Sequence, residues 1–460
     1  MAESYDAPHV SPEEATRDLV GRVAVGGAVY WVALFALAIV AAAGLIALLG
    51  LVASGPEPRA KWGYSAGTLA FLLSTAHTGP ILVLMTRVAK GFWGIPLRRA
   101  AELLTVAGLV TTPLFIVLLQ QLPDWRNRPS IWFDWPGAPQ LWDSAAIIIL
   151  SFLGLTLLFL GSLPDIAAVR DGRQKSGREA AGRHEGRSLR GWLALGWSGT
   201  VRQWQVLSGG LVVLGAFYFM LFAFIHVFVI SDLGMSLVPG WKSAIMPTYH
   251  GVSSLQAGVA TTIVTLAALR HFGRLQRYIG LDPFWGCAKL LLALSLLWFY
   301  FTWSELLATW YGRLPEERFI LELTMFGPYL GLFVLSASLN FILPFLLLIF
   351  NPIRVSIKGP ACVAILVLVG NLIDRLRIYV ASWSVAGPVG QHFEHAPPAV
   401  FPTLSDILII LGAPAAVALL YVLALRLVPP ISLWEYKTAL LLSLERPYLK
   451  TAVAVIAKPR

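Results

Sequence analysis

His77 stands near the middle of a long apolar run, in Ser74-Thr75-Ala76-His77-Thr78-Gly79-Pro80. An imidazole in such surroundings can accept a proton, hold a ligand, or bond to a neighbouring helix. Gly79 allows another chain to approach closely. Pro80 lacks the amide hydrogen that a carbonyl one turn earlier would use, so the spot is both kinked and polar. Other ionisable groups sit at the ends of apolar runs. Asp143 opens one in Leu141-Trp142-Asp143, His226 and Asp232 close another in His226-Val227-Phe228-Val229-Ile230-Ser231-Asp232, and Glu305 lies near the end of a third in Thr302-Trp303-Ser304-Glu305. Each carboxylate also has a structural reading: a helix N-cap for Asp143, a loop residue at a helix end for Asp232, and a boundary residue reaching for the headgroups for Glu305. Asp374, Arg375 and Arg377 interrupt a run that is otherwise apolar from Cys362 to Val380. Asp374 and Arg377 are three apart and share a face, so they either pair within the helix or act as a proton relay or counter-charge to the carboxylates. Glu102 and Asp165 flank helix ends, as plain boundary residues or as the entrance to that relay.

Histidine and carboxylates in an apolar, aromatic-lined setting suit a quinol, because its oxygens need hydrogen-bond partners and its oxidation needs bases to receive two protons. On this reading His77, Asp143 and Asp232 are the candidate catalytic groups, with His226, Glu305 and Trp142 binding the ring. Bis-histidine haem ligation by His77 and His226 is a competing use of the same side chains. The chain has no Gly-rich phosphate loop and no Ser-His-Asp arrangement, which argues against phosphoryl transfer and covalent hydrolysis. Cys287 and Cys362 lie inside apolar runs without CxxC spacing, so no metal cluster can be assembled from them, and one would have to belong to a partner.

The elements that position these residues follow from composition. Only 13% of the 460 residues are charged while 57% are hydrophobic; a soluble chain carries about a quarter charged residues, so this one cannot cover its surface in water. A helix needs roughly 20 mainly apolar residues to cross the hydrocarbon, and its internal hydrogen bonds make the crossing tolerable. Ten such runs occur, at 25–54, 64–86, 100–121, 143–163, 207–231, 249–269, 286–308, 325–350, 359–383 and 404–425. The expected fold is an all-α integral membrane protein of about ten transmembrane helices. The first run follows a mixed-charge segment without a small-residue cleavage site and reads as a retained helix.

A net charge of +10 invites a nucleic-acid reading, but the basic residues fall in alternate loops, as membrane insertion produces. Of the 35 Lys and Arg, 25 lie on one side, including Arg87, Lys90, Arg98, Arg99, the Arg170 to Arg202 stretch and the tail; seven, among them Arg126 and Arg128, lie on the other. Both termini are therefore expected in the cytoplasm. The chain divides into an N-terminal segment (1–24), four helices (25–163), a basic flexible linker (164–206), six helices (207–425) and a basic tail (426–460). Outward loops carry Trp125, Trp132, Trp135, Trp142, Trp241 and Trp310, the usual anchors of helix ends in the headgroup layer.

Ala76-His77-Thr78-Gly79, Leu141-Trp142-Asp143, Leu163-Pro164-Asp165, Ser231-Asp232, Val238-Pro239-Gly240-Trp241-Lys242-Ser243 and Trp310-Tyr311-Gly312-Arg313-Leu314-Pro315-Glu316-Glu317 occur in an order that resembles the NrfD-like family, the polysulfide reductase membrane subunits. Over residues 60 to 385 the chain most resembles the ten-helix quinol-oxidising membrane subunits of bacterial alternative complex III. The resemblance implies two four-helix bundles plus peripheral helices, no haem or metal in the subunit, and a menaquinol or ubiquinol site near the outer face, menaquinol being the expected substrate. It implies as partners a molybdopterin-like iron-sulfur subunit, multihaem and monohaem cytochrome c subunits, and a second NrfD-like membrane subunit. By position, His77, Asp143 and Asp232 become the quinol-contacting and proton-accepting groups. Asp374 and Arg375 match a charged stretch in which the family usually has glutamate and arginine. The alternatives left open are a proton-translocating subunit using Asp374, Arg375, Arg377, Glu102 and Asp165, a structural anchor without a site, and a transporter with a helix broken at Gly79-Pro80.

Overall fold

The computed structural model describes residues 11–22, 27–124, 131–132, 135–180, 192–385, 396–448 and 451–456. Trp125, Arg126, Arg128, the middle of the expected linker and much of the stretch from 384 to 403 lie outside them. Among the described residues, nine helices are long and apolar enough to cross a membrane, so the chain is a multi-pass membrane protein.

Four helices precede the third apolar run: α1 (Pro12–Arg22), α2 (Ala28–Ala53), α3 (Gly63–Thr75) and α4 (Gly79–Val88). The run expected at 64–86 is thus two helices, separated at Ala76–Thr78. The break follows from Pro80, which cannot donate back to the preceding turn. Gly79 lets the broken segment press against the next element, since a Cβ there would lie 2.0 Å from the carbonyl oxygen of Ala101. Gly79→Ala must therefore shift backbone; overpacking of this kind costs about 1–3 kcal/mol, seen as a lower thermal unfolding midpoint in detergent.

The next elements are α5 (Ile95–Glu102), α6 (Gly108–Leu119), α7 (Gln140–Ala180), α8 (Val201–Leu233), α9 (Ile245–Phe272) and α10 (Asp282–Gly312). Helix α7 continues to Ala180, well into the stretch expected to be a flexible linker. Pro164, Gly172 and Gly177 fall within this extension, and the Arg, Lys, Glu and Ala between them are good helix formers that carry the helix across the two glycines. Then follow α11 (Pro315–Leu321), α12 (Leu330–Ala337), α13 (Leu343–Ile349), α14 (Asn351–Arg354), α15 (Lys358–Ser384), α16 (Leu404–Ala424) and α17 (Leu433–Leu442). Glu322–Phe326 and Ser338–Ile342 are π-helical turns. Helix α15 is 27 residues long, about 40 Å at 1.5 Å per residue. Its charges set it apart from the nine apolar helices. The expectation of an all-α membrane protein holds; outside the membrane-spanning helices, in the tail, Ser443–Tyr448 pairs antiparallel with Thr451–Ile456. Alternating small and β-branched residues in Thr451-Ala452-Val453-Ala454-Val455-Ile456 favour that strand.

Helices α3, α9 and α15 form the centre. Helix α3 packs on both of the others, α8 packs on α9 and α4, and α10 covers α9 from the other side. The peripheral pair α2 and α16 is different in kind. Helix α2 is apolar all round and buries only Gly44, which faces Gly412 so closely that a Cβ on Gly44 would lie 2.6 Å from the Gly412 Cα. Small residues permit this contact where lipid offers no hydrophobic drive.

Candidate functional site

Two adjacent pairs of side chains, Tyr249-His250 on α9 and Asp374-Arg375 on α15, bring the polar residues of the centre together. Arg375 is fully buried. Its Nη2 donates to the His250 carbonyl at 2.9 Å, to Ser254 Oγ at 3.1 Å and to Ser253 Oγ, while Nε donates to Ser74 Oγ at 3.2 Å. Ser254 Oγ lies 2.9 Å from Ser74 Oγ, so one guanidinium ties α3, α9 and α15 together.

Beside it, His226 Nδ1 lies 2.8 Å from His250 Nδ1, and His250 Nε2 lies 2.9 Å from the Tyr379 hydroxyl. Two nitrogens at that distance must share one hydrogen. Either Tyr379 donates to His250, which donates to His226, or the whole chain runs in reverse. Both arrangements keep every member neutral and bonded, so the row can pass a proton by switching between them. His226 Nε2 is the open end: it is buried and bonds to no described residue. The edge of the His226 ring meets Phe222, with centroids 4.3 Å apart.

A second branch starts at Asp374, which accepts from Tyr249 and, at 2.8 Å, from Arg377. The intrahelical pairing expected from their spacing is present. Arg377 also donates to the Thr324 carbonyl, within the first π-helical turn, and its guanidinium lies 5.2 Å from the centroid of Phe333. Arg377 and Glu305 line a cavity of about 20 Å³, together with Trp241 and Thr324, which is room for about one water molecule. Glu305 accepts from Ser243 at 2.6 Å.

His77 is held differently from the expectation. Its Nε2 lies 2.8 Å from Thr111 Oγ1 and its Nδ1 3.3 Å from the Tyr218 hydroxyl, which donates to the His77 carbonyl at 2.8 Å. Both ring nitrogens therefore bond to neighbouring helices, and neither bond reaches Asp143 or Asp232. The latter is buried at the end of α8 and accepts from Trp132 Nε1 at 3.1 Å. Asp143 is fully buried in the first turn of α7, with its amide donating to Pro139 at 2.9 Å; it lies inside the helix, not at the cap. Trp142 is 42% exposed and stacks on Trp132 at 6.4 Å. The three residues expected to form one catalytic group are thus not joined: His77 is in the centre, Asp232 is at an aromatic rim of Trp132, Trp142 and Phe228, and Asp143 follows Trp142 in the first turn of α7.

Glu102 and Asp165 belong to a separate ion network. Arg99 donates to Glu102 at 3.0 Å and to Asp165 at 2.7 Å, and Arg87 donates to Glu102 at 2.7 Å. Glu435 on α17 accepts from Arg87 at 3.1 Å and from Arg98 at 3.0 Å. Asp165 also accepts from the amides of Leu433 and Trp434, 3.1 and 3.2 Å away, satisfying the first amide hydrogens of α17 as a cap would.

The tail contact is pH-dependent. Burial raises the Glu435 carboxyl, but Arg87, Arg98 and Arg99 outweigh it and hold the group below its ordinary value. A folded value lower than the unfolded one means that the stabilisation is complete above about pH 4.3, the free glutamate value, and is lost as pH falls through the lower folded value. A spin label at Lys437 should therefore gain mobility as pH falls below the free glutamate value, and Glu435→Gln should remove that step while leaving the Asp165 contacts to the amides of α17 in place. A step of the same size below that value in Glu435→Gln would reject the assignment.

The chain matches no known family model and no curated protein. What the central cluster can do chemically must be read from its own residues.

Sequence reasoning missed His250, Tyr249, Tyr379, Tyr218, Ser253 and Ser254. A signal existed for some of them: His250, Ser253, Ser254 and Ala257 recur at helical spacing in Tyr249-His250-Gly251-Val252-Ser253-Ser254-Leu255-Gln256-Ala257, marking a polar face that must be buried in a membrane helix. Tyr218 and Tyr379 gave none, since a tyrosine in an apolar span is usually packing.

Proposed function

We propose that this chain is the membrane subunit of a respiratory quinol:electron-acceptor oxidoreductase of the bacterial cytoplasmic membrane, with both termini in the cytoplasm and its helices in two four-helix bundles plus peripheral helices. The observation that carries the reading is the open Nε2 of His226 at the end of the His226–His250–Tyr379 row. A quinol hydroxyl bonded there would donate its proton into a row already able to pass it on. Oxidation releases two protons and two electrons and leaves the quinone. In this reading one proton enters the histidine row and Asp232, beside the aromatic rim, receives the other. The electrons go to an iron-sulfur partner and onward to cytochrome c subunits. His77 then acts as a positioning residue that holds the broken helix against α6 and α8.

A photoactivatable menaquinone analogue, added to the complex purified from membranes through this chain, tests the site. Crosslinks should map to α8 between Phe222 and Asp232, and excess menaquinol should suppress them. Labelling confined to lipid-facing positions of α2 or α10 would reject it.

A second reading is a proton-translocating subunit without its own quinol site. It is favoured by the Tyr249–Asp374–Arg377 branch, which leads from the centre to the cavity beside Glu305. It predicts that Asp374→Asn abolishes proton release by vesicles containing the complex while electron flow continues; unchanged proton yield per electron would exclude it.

A further inference from the structure

One turn from Arg375, away from Asp374 and Tyr249, lies a layer of three buried carboxamides that neither reading uses. Gln256 on α9 donates from Nε2 to Ser295 Oγ at 2.9 Å and to the Asn340 carbonyl at 2.7 Å. Asn340 lies in the second π-helical turn and donates from Nδ2 to the Ser336 carbonyl at 3.0 Å. Asn371 on α15 donates from Nδ2 to the Ser253 carbonyl at 3.3 Å. All three residues are fully buried. The pieces interlock: Asn371 bonds to α9 one turn from Gln256, and Gly370 leaves space for Asn340, whose Nδ2 would lie 3.0 Å from a Cβ on that glycine. The Asn340 carbonyl lacks its usual helical donor because Pro344, four residues on, has no amide hydrogen, and Gln256 takes it.

Each amide nitrogen faces a backbone carbonyl, so none of the three groups can be turned around without setting oxygen against oxygen. The remaining side-chain oxygens are therefore fixed as acceptors. Gln256 Oε1, Asn340 Oδ1 and Asn371 Oδ1 accept from no described residue, and Arg375 Nη1, four residues beyond Asn371 on the same helix, donates to none. Three acceptors and one cationic donor at membrane depth need a ligand with both donors and acceptors. A bare cation would suit the oxygens but not the neighbouring guanidinium, and an anion would meet three oxygens.

We propose that a cluster of ordered water molecules bridges Gln256, Asn340, Asn371 and Arg375, donating to the three amide oxygens and accepting from the guanidinium. Leaving such groups unbonded costs more than immobilising the waters that satisfy them. The cluster solvates Arg375, which has no carboxylate within ion-pair distance among the described residues, and it stands whether or not the chain oxidises quinol.

Radiolytic hydroxyl labelling of the full chain in lipid nanodiscs made with heavy-oxygen water tests this. Heavy oxygen should be incorporated at Leu339, beside the layer, and not at the lipid-facing Val334 and Leu335. Incorporation at Leu339 should fall severalfold when Gln256→Leu and Asn371→Leu are combined. Absence of label at Leu339 in the unaltered protein overturns the proposal even if the variants do not fold. So does a thermal midpoint that rises with sodium but not with choline in the unaltered protein and is sodium-insensitive in Asn371→Leu, because that would assign the layer to a cation.

Discussion

His226→Leu should lower quinol oxidation by the assembled complex a hundredfold or more. A side chain that takes a proton in the transition state contributes about 10²- to 10⁴-fold, and the leucine removes both the open Nε2 and the link to His250. Because leucine fills a similar apolar volume beside Phe222, the complex should still assemble and hold its partner subunits. His226→Gln, which keeps a polar end but cannot relay a proton along a ring, should be nearly as slow. His77→Leu separates the two histidines. If His77 only positions the helix break, its loss should weaken quinol binding and stability, with turnover at saturation far less affected than in His226→Leu. Equal losses of saturated turnover in both variants would return His77 to the chemistry, and normal turnover in His226→Leu would remove the site altogether.

Arg99→Leu should be the most destabilising single change in the ion network, by about 3–5 kcal/mol, because it leaves the Glu102 and Asp165 carboxylates buried with too little positive charge. Asp165 is fully buried and Glu102 nearly so; Arg87 still reaches Glu102, but among the described residues Asp165 retains only the two amides of α17. Denaturant titration of the reconstituted protein measures the loss. Adding Glu102→Gln and Asp165→Asn to Arg99→Leu should recover most of it, since a neutral cluster has no charge to strand. If the triple variant is no better than the single one, the network is not electrostatic in origin and the packing of Leu433 and Trp434 must be holding the tail.

The two networks differ in how much of them could be read from the order of residues. Asp374 and Arg377 were legible as a pair because a helix fixes which positions share a face. Gly79-Pro80 was legible as a break because proline lacks a donor whatever its surroundings. The grouping of His77 with Asp232 was not legible: His77 bonds to Tyr218, 14 residues before Asp232 on α8 and about 20 Å from it along the axis, and an apolar run does not say at which turn of a neighbouring helix its side chains meet partners. His226 faces His250 across an interhelical boundary, and that choice of face comes from packing. Glu435 gave no signal at all: it lies in a polar tail and meets Arg87 and Arg98 more than 300 positions earlier.

By itself the sequence determined that this chain lives in a membrane, which stretches of it are apolar enough to cross one, and that its few intramembrane charges must be satisfied inside the protein. Those conclusions depend on transfer free energies and backbone hydrogen bonding, which act on each segment separately. Only the tertiary structure decided which polar groups satisfy one another, placing His250 and Tyr379 beside His226 and leaving His77 with Thr111 and Tyr218. That choice is made by the rotation and close approach of helices distant in sequence, which no single segment encodes.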